Sequence, residues 1–147
     1  MIKSIIFLLS IFTCTVCSQY KPVWSRSYSS EGTFSIDKAL LVHTDKTGSI
    51  VVTGVTNASL MGDDITTIKY DKDGNQLWIA VFNGSGSYND RPSDLVTDNS
   101  GNIYITGSST GSGGSSTDIL TLKYSPDGLL LWQKVYAAKG GLLDEAK

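Results

Sequence analysis

The sequence contains one unit twice, and that repetition limits what the chain can fold into more than any other feature. Asp37–Thr56 (DKALLVHTDKTGSIVVTGVT) lies over Asp90–Ser109 (DRPSDLVTDNSGNIYITGSS) at an offset of 53 residues. After a loop one residue longer in the second copy, Asp64–Phe82 (DITTIKYDKDGNQLWIAVF) lies over Asp118–Tyr136 (DILTLKYSPDGLLLWQKVY) at an offset of 54. Asp, Gly, Ile, Lys, Tyr, Leu and Trp coincide at matching places throughout. Units of this length stack so that each covers the apolar face of its neighbour, and so the fold must be a repeat array.

Partial copies flank the two units. Trp24, Trp78 and Trp132 are each 54 residues apart, and Tyr28 answers Phe82 and Tyr136. At the other end Asp144-Glu145-Ala146 answers Asp37-Lys38-Ala39 and Asp90-Arg91-Pro92. The organisation expected is a lone strand D in 19–36, a first unit in 37–89, a second in 90–143, and the start of a truncated third in 144–147.

Each unit reads as four short strands, A to D, near 38–44, 50–56, 64–70 and 76–82 in the first copy. The second copy places them near 91–97, 103–109, 118–124 and 130–136. Tight connections join A to B and C to D, each closed by a glycine: Gly48, Gly101, Gly74 and Gly128. A left-handed residue at that place closes a hairpin, and glycine adopts it without penalty. Consecutive apolar residues such as Ile50-Val51-Val52 and Leu129-Leu130-Leu131-Trp132 predict sheets covered on both faces. The fold class is therefore all-β, with two four-stranded antiparallel sheets packed as propeller blades plus partial blades. A closed ring needs about four to eight blades, so this chain is expected to be the N-terminal piece of an incomplete ring. Gly54, Gly107, Tyr70, Tyr124 and the three tryptophans recur in fixed places, which marks them as structural repeat residues.

The run D-x-x-G-N-I-Y-I-T-G, then D-I-L-T-L-K-Y, then D-G-x-x-L-W and an aromatic, resembles the bacterial SBBP-type β-propeller repeat family. Asn102, Tyr104, Thr106, Gly107, Lys123, Tyr124, Gly128 and Trp132 carry the likeness in the second copy. The first copy departs from it at Ser49 and Val51. The resemblance implies a secreted or surface propeller, usually seven-bladed, and brings no established reaction with it.

The first eighteen residues are of different composition. Lys3 precedes an almost wholly apolar run from Ile5 to Val16, and small residues follow at Val16-Cys17-Ser18. The run is short of the ~20 residues of a membrane-spanning helix, so 1–18 reads as a cleaved signal peptide and the protein as secreted, periplasmic or at the cell surface. A lipid-modified cysteine is the minor alternative, since neither Cys14 nor Cys17 follows a convincing lipobox. Both cysteines lie in this leader, so no thiol nucleophile, disulfide framework or cysteine metal site is expected after cleavage. No membrane span remains either.

Charge points the same way. The formal net charge is -2, and the 12 Lys and Arg residues are scattered. No basic stripe is available for a phosphate backbone, so no nucleic-acid partner is expected.

Three patterns invite chemical readings. Gly107-Ser108-Ser109-Thr110-Gly111 matches the G-x-S-x-G nucleophile motif, but that motif needs a strand-to-helix elbow and a later histidine. Here a Gly/Ser run follows, and His43, the only histidine, lies upstream. Asp71, Asp73 and Asn75 alternate as in a calcium loop, but Gln76-Leu77-Trp78 enters a strand where the bidentate acid belongs, so a hairpin turn is the stronger reading. Trp24, Trp78 and Trp132 could stack sugars or bases, yet their fixed place in every unit makes them packing residues. No catalytic constellation and no cofactor emerge. In an up-and-down blade the variable B–C and D–A loops, Asn57–Asp63, Thr110–Thr117, Asn83–Asn89 and Ala137–Leu143, share one face, where binding is expected. The reading is a non-enzymatic binding or scaffolding module for an extracellular or cell-surface protein or glycan. The alternative is a fragment of a propeller enzyme of the quinoprotein dehydrogenase type, whose repeats share the Asp-Gly…Leu-Trp ending.

Overall fold

The computed structural model describes residues 23–31, 35–57, 62–111, 114 and 116–137. The expected signal peptide, the truncated third unit and most of the last D–A loop lie outside them. Eight strands follow one another: β1 (Ile36–Thr44), β2 (Ile50–Asn57), β3 (Asp64–Tyr70), β4 (Gln76–Phe82), β5 (Asp90–Thr97), β6 (Ile103–Thr110), β7 (Thr117–Tyr124) and β8 (Leu130–Tyr136). No helix occurs among the described residues. They form two four-stranded antiparallel meanders, β1-β2-β3-β4 and β5-β6-β7-β8, and no closed ring. The eight strands expected of the two units are present within two residues of their expected ends, whereas the described residues 23–31 of the lone strand D expected in 19–36 form no strand.

The two sheets share one backbone device. Register slips between Ala39 and Leu41 in β1, and between Pro92 and Asp94 in β5, so each first strand carries a β-bulge. The bulge drives a carbonyl onto the neighbouring strand. A Cβ built on Gly54 would lie 1.9 Å from the Lys38 oxygen, and one on Gly107 would lie 2.0 Å from the Arg91 oxygen. These glycines recur because the bulged strand leaves no room for a side chain.

The sheets pack face to face, with β1, β2 and β3 approaching β5. The core lies between them. Val51, Ile65 and Phe82 of the first sheet meet Leu95, Ile103, Ile105, Leu120, Leu122 and Tyr124 of the second. Each such side chain contributes about 1.5–3 kcal/mol by leaving water.

Burial differs between the copies. In β2 five of eight residues and in β3 six of seven are buried, on both faces, whereas β6 alternates strictly between buried and half-buried positions. The first sheet is covered on one side by the second sheet and on the other by residues 24–28. Among the described residues the second sheet is covered on one side only. Residues 24–30 carry no strand pairing. β4 and β8 are strands because β3 and β7 offer them ladders, and residues 24–30 join neither sheet.

Candidate functional site: a loop face over Tyr88 and a turn face locked by tryptophans

The two ends of the sheets are built differently, and the turn end is the more uniform. Each A–B turn begins with an aspartate whose carboxylate gathers the backbone N–H groups of the turn. Asp45 Oδ1 accepts from Thr47 N and Ser49 N at 2.9 and 3.0 Å, and Asp98 Oδ1 accepts from Ser100 N and Asn102 N at 2.8 and 2.9 Å. The C–D turn of the first copy repeats the device, with Asp73 N and Asn75 N donating to Asp71 Oδ1 at 2.9 and 2.8 Å. In the second copy the Ser125 hydroxyl takes this place, accepting from Leu129 N at 3.1 Å. Gly48, Gly74, Gly101 and Gly128 hold the left-handed position in these four turns.

The supposed calcium positions are thereby occupied by turn chemistry. Asp71 Oδ2 accepts the Asn75 side-chain amide at 2.8 Å, and Asp73 pairs with Lys72 at 2.7 Å, both in the open. The Asn75 amide, ahead of burial and the remaining bonds, holds the Asp71 carboxyl below its usual range. The G-x-S-x-G residues Gly107 to Thr110 lie inside β6, with Ser109 buried, so no elbow exists there.

Tryptophans join one unit to the next at this end. Trp78, on β4, sits over Gly128 of the second sheet, where a Cβ would lie 2.6 Å from its ring. Its indole N–H donates to the Pro126 carbonyl at 2.9 Å, and it stacks on Tyr124 at 6.2 Å between centroids. Trp24 repeats the whole arrangement on the first sheet. It covers Gly74, donates to the Lys72 carbonyl at 3.3 Å and meets Tyr70 at 6.1 Å. The two sockets differ in their cover. Burial pushes the Tyr124 hydroxyl up to about 12, whereas burial raises Tyr70 against an opposing pull from Arg26. Trp132 is 39% exposed and meets Tyr104 of its own sheet edge to face.

A buried ion pair lies at the same junction. Lys69 Nζ stands 3.2 Å from Asp45 Oδ2, with the two side chains 7% and 4% exposed. Burial pushes Asp45 up, but bonds from Thr47, Lys69 and the turn amides outweigh it and bring the carboxyl down to about 2. Two more contacts cross between the sheets: His43 Nε2 with Thr97 Oγ1 at 3.0 Å, and Lys46 Nζ with the Asn99 carbonyl. His43 is thus a packing residue. In the second copy Lys123 instead lies over the Tyr104 ring, 4.9 Å from its centre.

The opposite end is built from loops that converge on Tyr88. Asp90 N donates to the Asp63 carbonyl at 2.6 Å, Asp63 N to Asn89 Oδ1 at 3.0 Å, and Thr110 N to the Asn89 carbonyl at 3.1 Å. The D–A loop is thereby tied to both B–C loops. Glycines let these backbones close on the tyrosine: a Cβ on Gly62, Gly86 or Gly114 would lie 2.5, 2.8 or 3.0 Å from its nearest Tyr88 or loop atom. Ser87, just before it, has φ of 51°, the one non-glycine in the left-handed region among the described residues. Strain at such a residue persists only where surrounding contacts hold it. Tyr88 remains 43% exposed.

Beneath this loop lies a second feature that sequence reasoning missed. Asp90 is fully buried; its Oδ2 accepts Gly84 N at 2.6 Å, while its Oδ1 has no hydrogen-bond partner. Burial holds its carboxyl above the ordinary range, with the nearby Ser109 hydroxyl and the Gly84 amide pulling the other way. Burial, then the charges of Asp90 and Asp63, raise Asp64 as well. The equivalent Asp37 has both oxygens satisfied, by the Ser30 amide at 3.0 Å and the Ser30 hydroxyl at 2.7 Å. The sequence did hold a signal for Tyr88, which is the one aromatic in the four variable loops.

Residues 83–114 match the family description of the SBBP β-propeller repeat. The matched stretch runs from the D–A loop through β5 and β6 into the second B–C loop. No curated protein matches the chain.

Proposed function

We propose that this chain, which carries a β-propeller repeat of the SBBP family, is a secreted, non-enzymatic binding module that meets an extracellular protein or glycan with its loop face. The observation that carries the reading is the convergence of the D–A loop and both B–C loops on the half-exposed Tyr88. An aromatic ring held against backbone offers a large contact area at little entropic cost, and amide and carboxylate groups at its rim supply directional bonds. The turn face is a poor rival, because its carboxylates are already committed to turn amides.

The test is a binding survey of the secreted protein against a glycan array and surface extracts of cells. Replacing Tyr88 by Ala should abolish capture, while Asp73→Ala on the turn face leaves it unchanged. Capture that survives Tyr88→Ala and follows turn-face substitutions would overturn the assignment. Quinone-dependent dehydrogenase activity would overturn the non-enzymatic reading.

A further inference from the structure

Asn83-Gly84, at the start of the loop that carries Tyr88, is the one place in the sequence where a glycine follows an asparagine. The fold imposes that glycine, because a Cβ at position 84 would lie 2.5 Å from Ser109 Oγ and 2.7 Å from Asp90 Oδ1. An asparagine amide is most open to attack by the next backbone nitrogen when that residue has no side chain to hinder the approach. Asn83 is exposed. Other asparagines are held in place: the Asn75 and Asn102 amides donate to Asp71 Oδ2 and Asp98 Oδ2 at 2.8 and 2.7 Å, and Asn89 Oδ1 accepts Asp63 N at 3.0 Å.

The attacking nitrogen already has a base on it. Gly84 N donates to Asp90 Oδ2 at 2.6 Å, within the reach a general base needs of the proton it removes. Asp90 is fully buried, and its Oδ1 has no well-formed hydrogen bond. Burial holds its carboxyl above the ordinary range, which makes its carboxylate a stronger base than one at the surface. Asp63 and Asp64 on the side of the first sheet, and Asp118 across β6, are the charged groups around it, and no cation pairs with Asp90 among the described residues. The two demands on Gly84 N are compatible. Its N–H points at Oδ2 within the peptide plane, whereas the Asn83 Cγ approaches across the face of that plane, where the nitrogen electron pair is released as the proton leaves.

The first sheet supplies a contrast. Ser30 N donates to Asp37 Oδ2 at 3.0 Å in the matching place, but Ser29 precedes it and has no amide to be attacked. In the two Asp-Gly turns, Gly74 N and Gly128 N donate to the neutral carbonyls of Asp71 and Ser125, so no base sits on either nitrogen.

We propose that Asn83 is a self-modification site, with Gly84 N as nucleophile and Asp90 as general base. A bond forms from Gly84 N to Asn83 Cγ as the Gly84 proton passes to Asp90 Oδ2. Asp90 relays that proton to the Asn83 amide nitrogen, which leaves as ammonia, and a cyclic succinimide remains. Water then opens the ring at one carbonyl or the other, giving an aspartyl residue or an isoaspartyl residue with one more backbone carbon. Either product adds a negative charge to the Tyr88 loop, and the second also lengthens it. The chemistry is independent of what Tyr88 binds.

Peptide mass spectrometry and an isoaspartyl methylation assay on the purified protein, incubated over a range of pH, test this. Asn83 should convert faster than any other asparagine, and faster in the folded protein than in the same chain unfolded in urea. Asp90→Asn should slow the folded-state reaction about tenfold or more and leave the rate in urea unchanged. The wild-type rate should level off once Asp90 is ionised, whereas the rate in Asp90→Asn should rise in proportion to hydroxide. Equal rates in the folded and unfolded wild type, or a reaction in folded Asp90→Asn as fast as in wild type or faster, would show that Asp90 merely restrains the Gly84 amide and would overturn the proposal. The comparison of folded with unfolded wild type holds even where circular dichroism shows the variant to be unfolded.

Discussion

β3 and β7 have nearly the same sequence, DITTIKY and DILTLKY, and live in different surroundings. In β3 six of seven residues are buried, whereas β7 is half-buried along most of its length. The local structure is identical: same meander, same bulge in the first strand, same left-handed glycines in the turns. The difference lies in packing. A residue such as the repeated lysine is a buried cation in one copy and a ring-stacked, half-exposed cation in the other. Sequence identity between repeats fixes backbone, and position in the stack decides how much each side chain is worth.

The largest expected effect separates Asp45 from its equivalent Asp98. Asp45→Asn leaves Lys69 buried beside a neutral amide, and removing one partner of a buried pair costs about 3 kcal/mol. Asp98→Asn should lose only a small fraction of that, since Asp98 serves an exposed turn. Urea unfolding of both variants measures the gap, and equal losses would break the comparison. Acid sharpens it. The Asp45 carboxyl is depressed to about 2 in the folded chain, so its contribution is present above the unfolded value near 4 and is lost as pH falls through 2. Asp45→Asn should flatten that part of the stability curve.

The tryptophans come next. Truncating a buried Trp costs about 3–5 kcal/mol, and Trp78 is partly buried, so Trp78→Ala should lose about 2 kcal/mol. Trp132, which meets no socket among the described residues, should lose less than about 1 kcal/mol. Trp24→Ala should fall between them. Thermal melts give the order. A Trp132 loss as large as that of Trp78 would mean that the open face is covered within the single chain.

Much of this was legible in the sequence, and what escaped shares one cause. The strand boundaries could be read because turn glycines and strand residues act locally, within a few positions. The tryptophans could be assigned to packing because they recur. What could not be read is which copy of a repeated residue has a neighbour. Nothing in Trp24 or Trp132 themselves distinguishes them from Trp78. The calcium-like spacing of Asp71, Asp73 and Asn75 is ambiguous for the opposite reason, since aspartate gathers turn amides with the same spacing it would use for a cation. Tyr88 was hidden because its partners, Gly62, Gly86 and Gly114, come from three loops far apart in the chain.

The smallest expected effect concerns Asp37 and Asp90, which share one role and differ in one atom. Both accept an amide from the loop before the strand, but Ser30 also gives its hydroxyl to Asp37, and Gly84 has none to give to Asp90. The folded chain therefore buries a carboxylate whose Oδ1 has no well-formed hydrogen bond, only the Ser109 hydroxyl close by. Its raised pKa means that the folded state holds the proton more tightly. That contribution is present below the unfolded value near 4 and is lost as pH rises through the folded value, opposite in sign to Asp45. Asp90→Asn removes the buried charge and should be neutral or stabilising by about 0.5 kcal/mol at neutral pH, with the advantage over wild type shrinking on acidification. Asp37→Ala breaks two satisfied bonds and should cost about 1 kcal/mol. Urea unfolding from pH 4 to 8 decides it, and a loss in Asp90→Asn that matches Asp37→Ala would show that Asp90 is as well partnered as its twin.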